Sequence, residues 1–158
     1  MIGKKMTQMP LFQPPSEWTP PETVPNLSEA KEIAVDLETY DPDIKTNGPG
    51  WAINNGYIAG VAIAVEGWKG YFPIRHEGGG NFDENILKRQ IQKIMDLPCD
   101  KIFHNASYDV GWLRWWGVEV KGRIVDTLIA APLIDENRFR YSLNELGKDY
   151  LKDTKSEA

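Results

Sequence analysis

Two acidic residues near the start of the chain, Asp36 and Glu38, have the type and spacing of metal ligands. They lie in the segment Lys31 to Glu38, where apolar and polar residues alternate as in a half-buried strand. Side chains two positions apart leave the same face of a strand roughly 7 Å apart. Because hard divalent cations prefer carboxylate oxygens, one cation could bridge the pair. The alternative is a strand whose polar face meets only water.

A third acid, Asp109, lies in a segment from Lys101 to Leu113 that predicts a short apolar strand entering a helix. Asp109 falls in the first turn of that helix, where a negative charge also interacts favourably with the helix dipole. In that interpretation Ser107 is the helix cap. Asp109 alone therefore fits either a metal ligand or an ordinary helix-terminal charge.

The elements that must position these acids predict an α/β fold. A Glu66-Gly67 turn joins the second and third strands as a hairpin, and the triple glycine at 78–80 reads as a flexible connection. The order β-β-β-α-β-α-β-α-α predicts a mixed sheet of about five strands, three antiparallel and then alternating with helices that flank the sheet. Strands are expected at residues 31–38, 57–65, 69–74, 101–104 and 123–125, and helices at 83–96 and 107–116, up to about 134, and from about 142.

The composition fits one globular domain with an extended N-terminal arm. The chain has 158 residues, of which 41% are hydrophobic, and its 18 Lys and Arg against 23 Asp and Glu give a charge of −5. That charge excludes a diffuse basic surface as the means of holding nucleic acid. Six prolines in the first 25 residues predict an arm over residues 1–28 and a domain over residues 29–158. Cys99 has no internal disulfide partner, and no segment resembles a signal peptide or a membrane span, so a cytoplasmic location is expected.

Two motifs carry a specific resemblance to a known family. Val35-Asp36-Leu37-Glu38-Thr39 resembles the first motif of the four-acid (DEDD) 3′→5′ exonucleases, which have a ribonuclease H-like fold. His104-Asn105-Ala106-Ser107-Tyr108-Asp109 resembles the second motif, and the separation of 71 residues between Glu38 and Asp109 is typical of that superfamily. From about residue 30 onward the chain resembles the exonuclease domain of phage-type family A DNA polymerases, through Tyr71 to His76, Asp126 to Leu133 and Tyr141 to Leu146.

The resemblance implies a set of metal ligands and a reaction. Asp36 would bridge two Mg²⁺ or Mn²⁺ ions, Glu38 would help to hold the ion that activates water, and Asp109 would hold the second ion. Two cations about 4 Å apart stabilise the charge that develops on the attacking and leaving oxygens of a phosphodiester. The implied reaction is removal of 3′-terminal nucleotides from single-stranded or frayed DNA, which is proofreading.

The resemblance also implies contacts with substrate and partners. Asn105 would support the site or the substrate backbone, while Thr39 and Tyr40 follow the strand acids at a position suited to the terminal nucleotide. The implied partners are the 3′ end of single-stranded DNA and the polymerase domain of the parent protein. In the arm, Gln8-Met9-Pro10-Leu11-Phe12 resembles the peptide by which bacterial replication proteins bind the sliding clamp, with Gln8, Leu11 and Phe12 as contacts. Alternatively, Leu11 and Phe12 dock on the surface of this domain.

The family carries a fourth acid on a late helix, as Tyr-x-x-x-Asp or His-x-x-x-x-Asp, and the chain lacks it in the expected place. The span His104 to Asp109 has the His spacing but already supplies the second motif. Tyr141 is followed four residues later by Glu145, and Tyr150 to Asp153 is one residue short. We therefore expect a truncated domain that alone binds metal weakly and cuts slowly or not at all.

Two rival functions remain open at this stage. One is a non-catalytic module that binds nucleic acid or tethers a clamp, and the other is an RNA-trimming exonuclease of the ribonuclease D type. Among single residues, Asp126 is interpreted as a helix cap rather than a ligand. Core packing is preferred to base stacking for three tryptophans, Trp112, Trp115 and Trp116.

Overall fold

The computed structural model of the protein describes residues 24–134, and of residues 131–134 it describes the backbone alone. Five strands and five helices follow one another in this range. They are β1 (Glu32–Tyr40), α1 (Ile44–Asn47), α2 (Gly50–Ile53), β2 (Tyr57–Val65), β3 (Trp68–Pro73), α3 (Glu84–Met95), β4 (Asp100–Phe103), α4 (Ala106–Trp116), β5 (Ile124–Asp126) and α5 (Thr127–Ile134).

The strands form one mixed sheet in the order β3-β2-β1-β4-β5. The pairs β1–β2 and β2–β3 are antiparallel, whereas the pairs β1–β4 and β4–β5 are parallel. Parallel neighbours need a crossover, and α3 and α4 supply it. The prediction of three antiparallel strands followed by β-α alternation is confirmed.

The core follows from the two periodicities of the sequence. On β1, the alternating residues Ile33, Val35 and Leu37 are buried. On α3, the buried residues Leu87, Ile91, Ile94 and Met95 recur at helical spacing and lie in the same hydrophobic cluster. In α4, Trp112 and Trp116 are buried, which confirms their interpretation as core residues. Trp115 is half-buried, and its Nε1 donates to Asn54 Oδ1 at 2.8 Å.

The strand β1 is longer than predicted, and its pairing with β2 is irregular. Its register with β2 shifts between Glu38, which faces Gly60, and Thr39, which faces Ile58. Ala59 is therefore the extra residue of a β-bulge. Its carbonyl oxygen accepts hydrogen bonds from Ile74 N at 2.8 Å and Arg75 N at 3.1 Å, so the bulge is fastened to the end of β3.

The segment between β1 and β2, for which no helix or strand was predicted, holds the one-turn helices α1 and α2. The reason is Asp41, whose carboxylate accepts a hydrogen bond from Gly50 N at 3.0 Å and so fixes the start of α2. Because the two partners are nine residues apart, this contact has no short-range pattern in the sequence.

The predicted arm and the predicted last helix lie largely outside the described residues. Of the arm, the structure describes residues 24–28, and there Leu27 is buried in the core cluster with Val24 packed beside it. The end of the arm thus contacts the domain, and the boundary at residues 28 and 29 remains a prediction. The helix expected from about residue 142 falls outside the described range. No helix within residues 24–134 has the length and apolar character that crossing a membrane requires.

Candidate active site

The alternation of β1 separates its acids from its core residues. Val35 and Leu37 are buried on one face, so Asp36 and Glu38 lie on the opposite face, where both are half-buried. The predicted placement of two carboxylates on one face of a strand is therefore what the structure shows.

The neighbouring strands place a tyrosine beside these acids. Asp36 pairs with Ala62 on β2, and Ala62 pairs with Tyr71 on β3, so Tyr71 shares the face of the acids. Gly60, which pairs with Glu38, has no side chain to block the approach: a Cβ at Gly60 would lie 2.0 Å from the Tyr71 hydroxyl oxygen. The tyrosine ring can therefore lie over Gly60 and reach Glu38.

Tyr71 connects Glu38 to a histidine. Its hydroxyl donates to Glu38 Oε2 at 3.0 Å and lies 2.5 Å from His76 Nε2, which is itself 3.7 Å from Glu38 Oε2. Burial, followed by the negative charges of Glu38 and Asp36, raises the pKa of Tyr71 well above its ordinary range. Tyr71 therefore stays a neutral donor in a region of negative potential. Neither Tyr71 nor His76 was predicted as a site residue, although both lie in a stretch that resembles the family.

The start of α4, which carries Asp109, is fixed by a residue from the next strand. The Asp126 carboxylate accepts hydrogen bonds from Asn105 N at 3.0 Å, Ala106 N at 2.9 Å and Leu128 N at 3.0 Å. Asp126 thus caps α5, as predicted, and also the N-terminus of α4. The cap that we expected from Ser107 is wrong, because Ser107 Oγ donates instead to the Asn105 side chain at 3.2 Å.

Tyr108 ties the first turn of α4 to the end of β1. Its hydroxyl lies 2.9 Å from Thr39 Oγ1 and donates to Asp41 Oδ2 at 2.8 Å. Asp109, the next residue, is only 4% exposed. Tyr108 therefore brings the two motifs into contact. It immediately precedes the buried residue Asp109 in the sequence.

The predicted substrate contacts fall in different environments. Thr39 is half-buried, and its hydroxyl is hydrogen-bonded to that of Tyr108. Tyr40, by contrast, is 53% exposed and stacks on Tyr57 with ring centres 5.1 Å apart. Asn105 is exposed and has a left-handed backbone with φ of 71°. The predicted clamp contacts Gln8, Leu11 and Phe12 lie outside the described residues.

The chemistry of Asp36, Glu38 and Asp109 suits a hard cation. Among the described residues 24–134, no three His, Cys, Asp or Glu side chains are grouped as metal ligands. The joint ligation of metal by Asp36, Glu38 and Asp109 therefore remains a prediction. In its favour, two carboxylates share one face of β1, a third is buried in α4, and the strand acids both raise the pKa of Tyr71. Such a concentration of carboxylate oxygens suits Mg²⁺ or Mn²⁺.

The sheet order and the placement of the helices define a ribonuclease H-like α/β domain. A solved structure shares this fold: NrnC from Brucella melitensis with bound Mg²⁺ aligns with a TM-score of 0.57 and 19% identity, over 85% of this chain and 61% of that one. At that identity the likeness concerns the fold.

The chain belongs to the 3′-5′ exonuclease family of family A DNA polymerases, whose family model matches residues 17–158. Members of this family normally use divalent metal ions. The expectation drawn from the two motifs is confirmed, and the chain is an exonuclease domain.

Two curated relatives come from bacteriophages. A DNA-directed DNA polymerase of Pseudomonas phage M6 is 37% identical over 95% of this chain, and DNA polymerase DpoZ of Salmonella phage PMBT28 is 34% identical over 81%. The chain spans 24% of the length of the first relative and 18% of the second. It therefore corresponds to a part of each of these polymerases.

Proposed function

We propose that the chain removes 3′-terminal nucleotides from single-stranded or frayed DNA as the proofreading part of a phage DNA polymerase. The observation that carries this proposal is the pair Asp36 and Glu38 on one half-buried face of β1, with Tyr71 hydrogen-bonded to Glu38. The membership of the chain in the exonuclease family supports the direction of cleavage, and the two polymerase relatives support DNA as the substrate in preference to RNA.

We assign the metal ligands as the sequence motifs suggest. Asp36 would bridge two Mg²⁺ or Mn²⁺ ions, Glu38 would contribute to one of them, and Asp109 to the other. Bound there, the cations would stabilise the negative charge that develops on the attacking and leaving oxygens of the phosphodiester. Tyr71 holds one oxygen of Glu38 by its hydrogen bond, and Tyr108 and Asp126 hold the turn that carries Asp109.

The terminal nucleotide would lie against Tyr40. This side chain follows Glu38 on the same face of β1, is largely exposed, and is supported from below by Tyr57. An exposed ring supported in this way offers a surface for base stacking, whose contribution is about 1–3 kcal/mol per base. Asn105, also exposed, would contact the sugar-phosphate backbone, and Thr39 would act indirectly by holding Tyr108.

The partners and location follow from the relatives and from the arm. A polymerase domain would adjoin this domain in the parent protein. The removal of 3′-terminal nucleotides would take place in the cytoplasm of a phage-infected bacterium. Through Gln8, Leu11 and Phe12, the arm would bind a bacterial sliding clamp. A pull-down with clamp checks this last point, because replacing Leu11 and Phe12 by Ala should abolish capture, and unchanged capture would remove the idea.

A non-catalytic module is the second candidate, because no group of three metal-ligating side chains occurs within residues 24–134. Metal binding and hydrolysis separate the two candidates. Calorimetric titration with Mn²⁺ should show binding that weakens in Asp36→Asn and Glu38→Gln. The matched control is Glu66→Gln, which removes an exposed carboxylate at the hairpin turn.

Hydrolysis is measured in the same set of proteins with 5′-labelled single-stranded DNA and, in competition, RNA of the same sequence. We expect slow stepwise shortening from the 3′ end in the wild type and in Glu66→Gln, and none in Asp36→Asn. Loss of Mn²⁺ binding from all variants alike, or shortening that persists in Asp36→Asn, would contradict the proposed site. Faster cleavage of RNA would contradict the proposed substrate.

A further inference from the structure

We propose that Tyr71 and His76 are positioning residues, which form a directed chain of hydrogen bonds that holds Glu38 in the orientation for metal binding. This inference rests on the proposed function, since it assigns a role to two residues through Glu38. It starts from two contacts, the Tyr71 hydroxyl to Glu38 Oε2 at 3.0 Å and to His76 Nε2 at 2.5 Å.

The chemistry of the three groups fixes the direction of these bonds. A carboxylate can only accept hydrogen bonds, and a phenol has a single proton to donate. The Tyr71 proton therefore goes to Glu38, and the contact with His76 requires a proton on Nε2. The chain of donation runs from His76 to Tyr71 to Glu38, and it selects the imidazole form that has hydrogen on Nε2.

The surrounding structure holds the two donors of this chain, His76 and Tyr71. The Asn81 side chain forms two hydrogen bonds with the backbone of His76. His76 N donates to Asn81 Oδ1, and Asn81 Nδ2 donates to the His76 carbonyl oxygen, each at 2.8 Å. Gly60 leaves the space that the Tyr71 ring occupies. The hydroxyl is thus held in place by packing as well as by its partners.

Both contacts to Glu38 involve the same oxygen. Tyr71 and His76 approach Oε2, at 3.0 Å and 3.7 Å, and neither contact uses Oε1, through which we expect Glu38 to bind a cation. A glutamate side chain loses substantial rotamer freedom when it is fixed, and a preformed hydrogen bond meets that cost before metal arrives. Outer residues that orient a metal ligand in this way typically change metal affinity or activity by about 10-fold to 100-fold when they are removed.

The test compares Mn²⁺ affinity in variants that remove one donor at a time. Tyr71→Phe and His76→Ala should each weaken Mn²⁺ binding by about 10-fold. His76→Gln, whose side-chain amide can still donate to Tyr71, should recover most of that loss. Thr46→Val, which removes an exposed hydroxyl on α1, is the matched control and should bind as the wild type does.

A second measurement reads the histidine directly and does not depend on activity. The chain has two histidines, so ¹⁵N NMR of the imidazole rings can be assigned by the signals that vanish in His76→Gln. At about pH 8, where a free imidazole is mostly neutral, we expect hydrogen on Nε2 of His76. In Tyr71→Phe that preference should be lost. Wild-type His76 without hydrogen on Nε2 would overturn the proposal, even if a variant failed to fold.

The outcomes separate this inference from the proposed function. Normal Mn²⁺ affinity in Tyr71→Phe and in His76→Ala, together with weakened binding in Glu38→Gln, would overturn the positioning role and leave the metal site standing. If Glu38→Gln and Asp36→Asn also bound Mn²⁺ normally, the metal site and the role built on it would both be wrong.

Discussion

The two ends of the parallel strands β1, β4 and β5 treat charge differently. At their N-terminal end, Lys101 on β4 is fully buried, and its ammonium group donates to the carbonyl oxygens of Leu97, Cys99 and Lys121. At their C-terminal end, the acids Asp36 and Glu38 share one face of β1, and Asp109 follows β4. One end surrounds its buried charge with carbonyl oxygens, and the other concentrates negative charge.

The N-terminal end is balanced in its surface groups as well. Arg123 forms an ion pair with Asp100 at 2.5 Å and lowers the pKa of that carboxyl, while Lys121 lies 3.2 Å from Asp96 and does the same there. At the C-terminal end the effect has the opposite sense, because burial, followed by the charges of the strand acids, raises the pKa of Tyr71. Balanced charge at the N-terminal end stabilises the fold, whereas the unbalanced negative charge at the C-terminal end is suited to attracting cations.

Replacing Lys101 by Met should give the largest change in stability. Three partly buried hydrogen bonds to carbonyl oxygens would lose their donor, which costs about 3 kcal/mol in the free energy of unfolding. Urea unfolding followed by circular dichroism measures this loss. If Lys101→Met were as stable as the wild type, the N-terminal end would not depend on its charge balance, and the comparison of the two ends would fail.

Asp126 tests whether every acid at the C-terminal end belongs to the site. Because its carboxylate accepts from three backbone amides, Asp126→Ala should destabilise the protein by about 2 kcal/mol. Asp126→Asn keeps an acceptor oxygen and should lose less. Full stability of Asp126→Ala with weakened Mn²⁺ binding would instead make Asp126 a part of the metal site.

Asp36→Asn should change stability in the opposite direction. Removing one of two like charges on a half-buried face is expected to raise the free energy of unfolding of the metal-free protein slightly, by no more than about 1 kcal/mol. With saturating Mn²⁺ the order should reverse, because the wild type gains more from binding. Thermal melting with and without Mn²⁺ gives both values, and an unchanged order would show that Asp36 does not contact the metal.

The smallest effect should appear only in alkali. The pKa of Tyr71 is raised in the folded state, so its contribution to stability is fully present below the ordinary tyrosine pKa of about 10 and is lost as the pH rises above it. The unfolding free energy of the wild type should therefore fall more steeply above about pH 10 than that of Tyr71→Phe. Parallel curves for the two proteins would mean that neither burial nor the neighbouring carboxylates raise the pKa of Tyr71 in the folded protein.

The hairpin turn determines one half of the Tyr71 contact, whereas the other half depends on residues far apart in the sequence. The Glu66-Gly67 turn pairs Val65 with Trp68, and counting outward from it places Tyr71 opposite Ala62. The pairing of Ala62 with Asp36 depends on a connection of sixteen residues and on the β-bulge, and neither has a local signal. Alternation therefore predicted that the acids share a face, whereas their neighbours on that face needed the structure.

The cap of α4 is a second contact that the sequence alone could not predict. Among the residues next to the helix, Ser107 has the type expected of a cap. The cap is Asp126, about twenty residues further along the chain, which becomes adjacent only because β4 and β5 pair in parallel. Contacts of this kind depend on the fold, and local propensity contains no information about them.

The bulge at Ala59 determines where this domain can change in length. On one side of it Val61 and Ile63 point into the core, and on the other side Ile58 is buried as well, because Ala59 stands outside the alternation. Deleting Ala59 should therefore leave Ile58 opposite Thr39 and Tyr57 opposite Tyr40, and remove only the carbonyl oxygen that binds Ile74 N and Arg75 N. Elsewhere in β2, a change of one residue would exchange the buried and the solvent-facing side chains. Over evolution, the segment between β1 and β2 is free to grow or shrink, whereas β2 away from Ala59 tolerates a deletion or insertion only in steps of two.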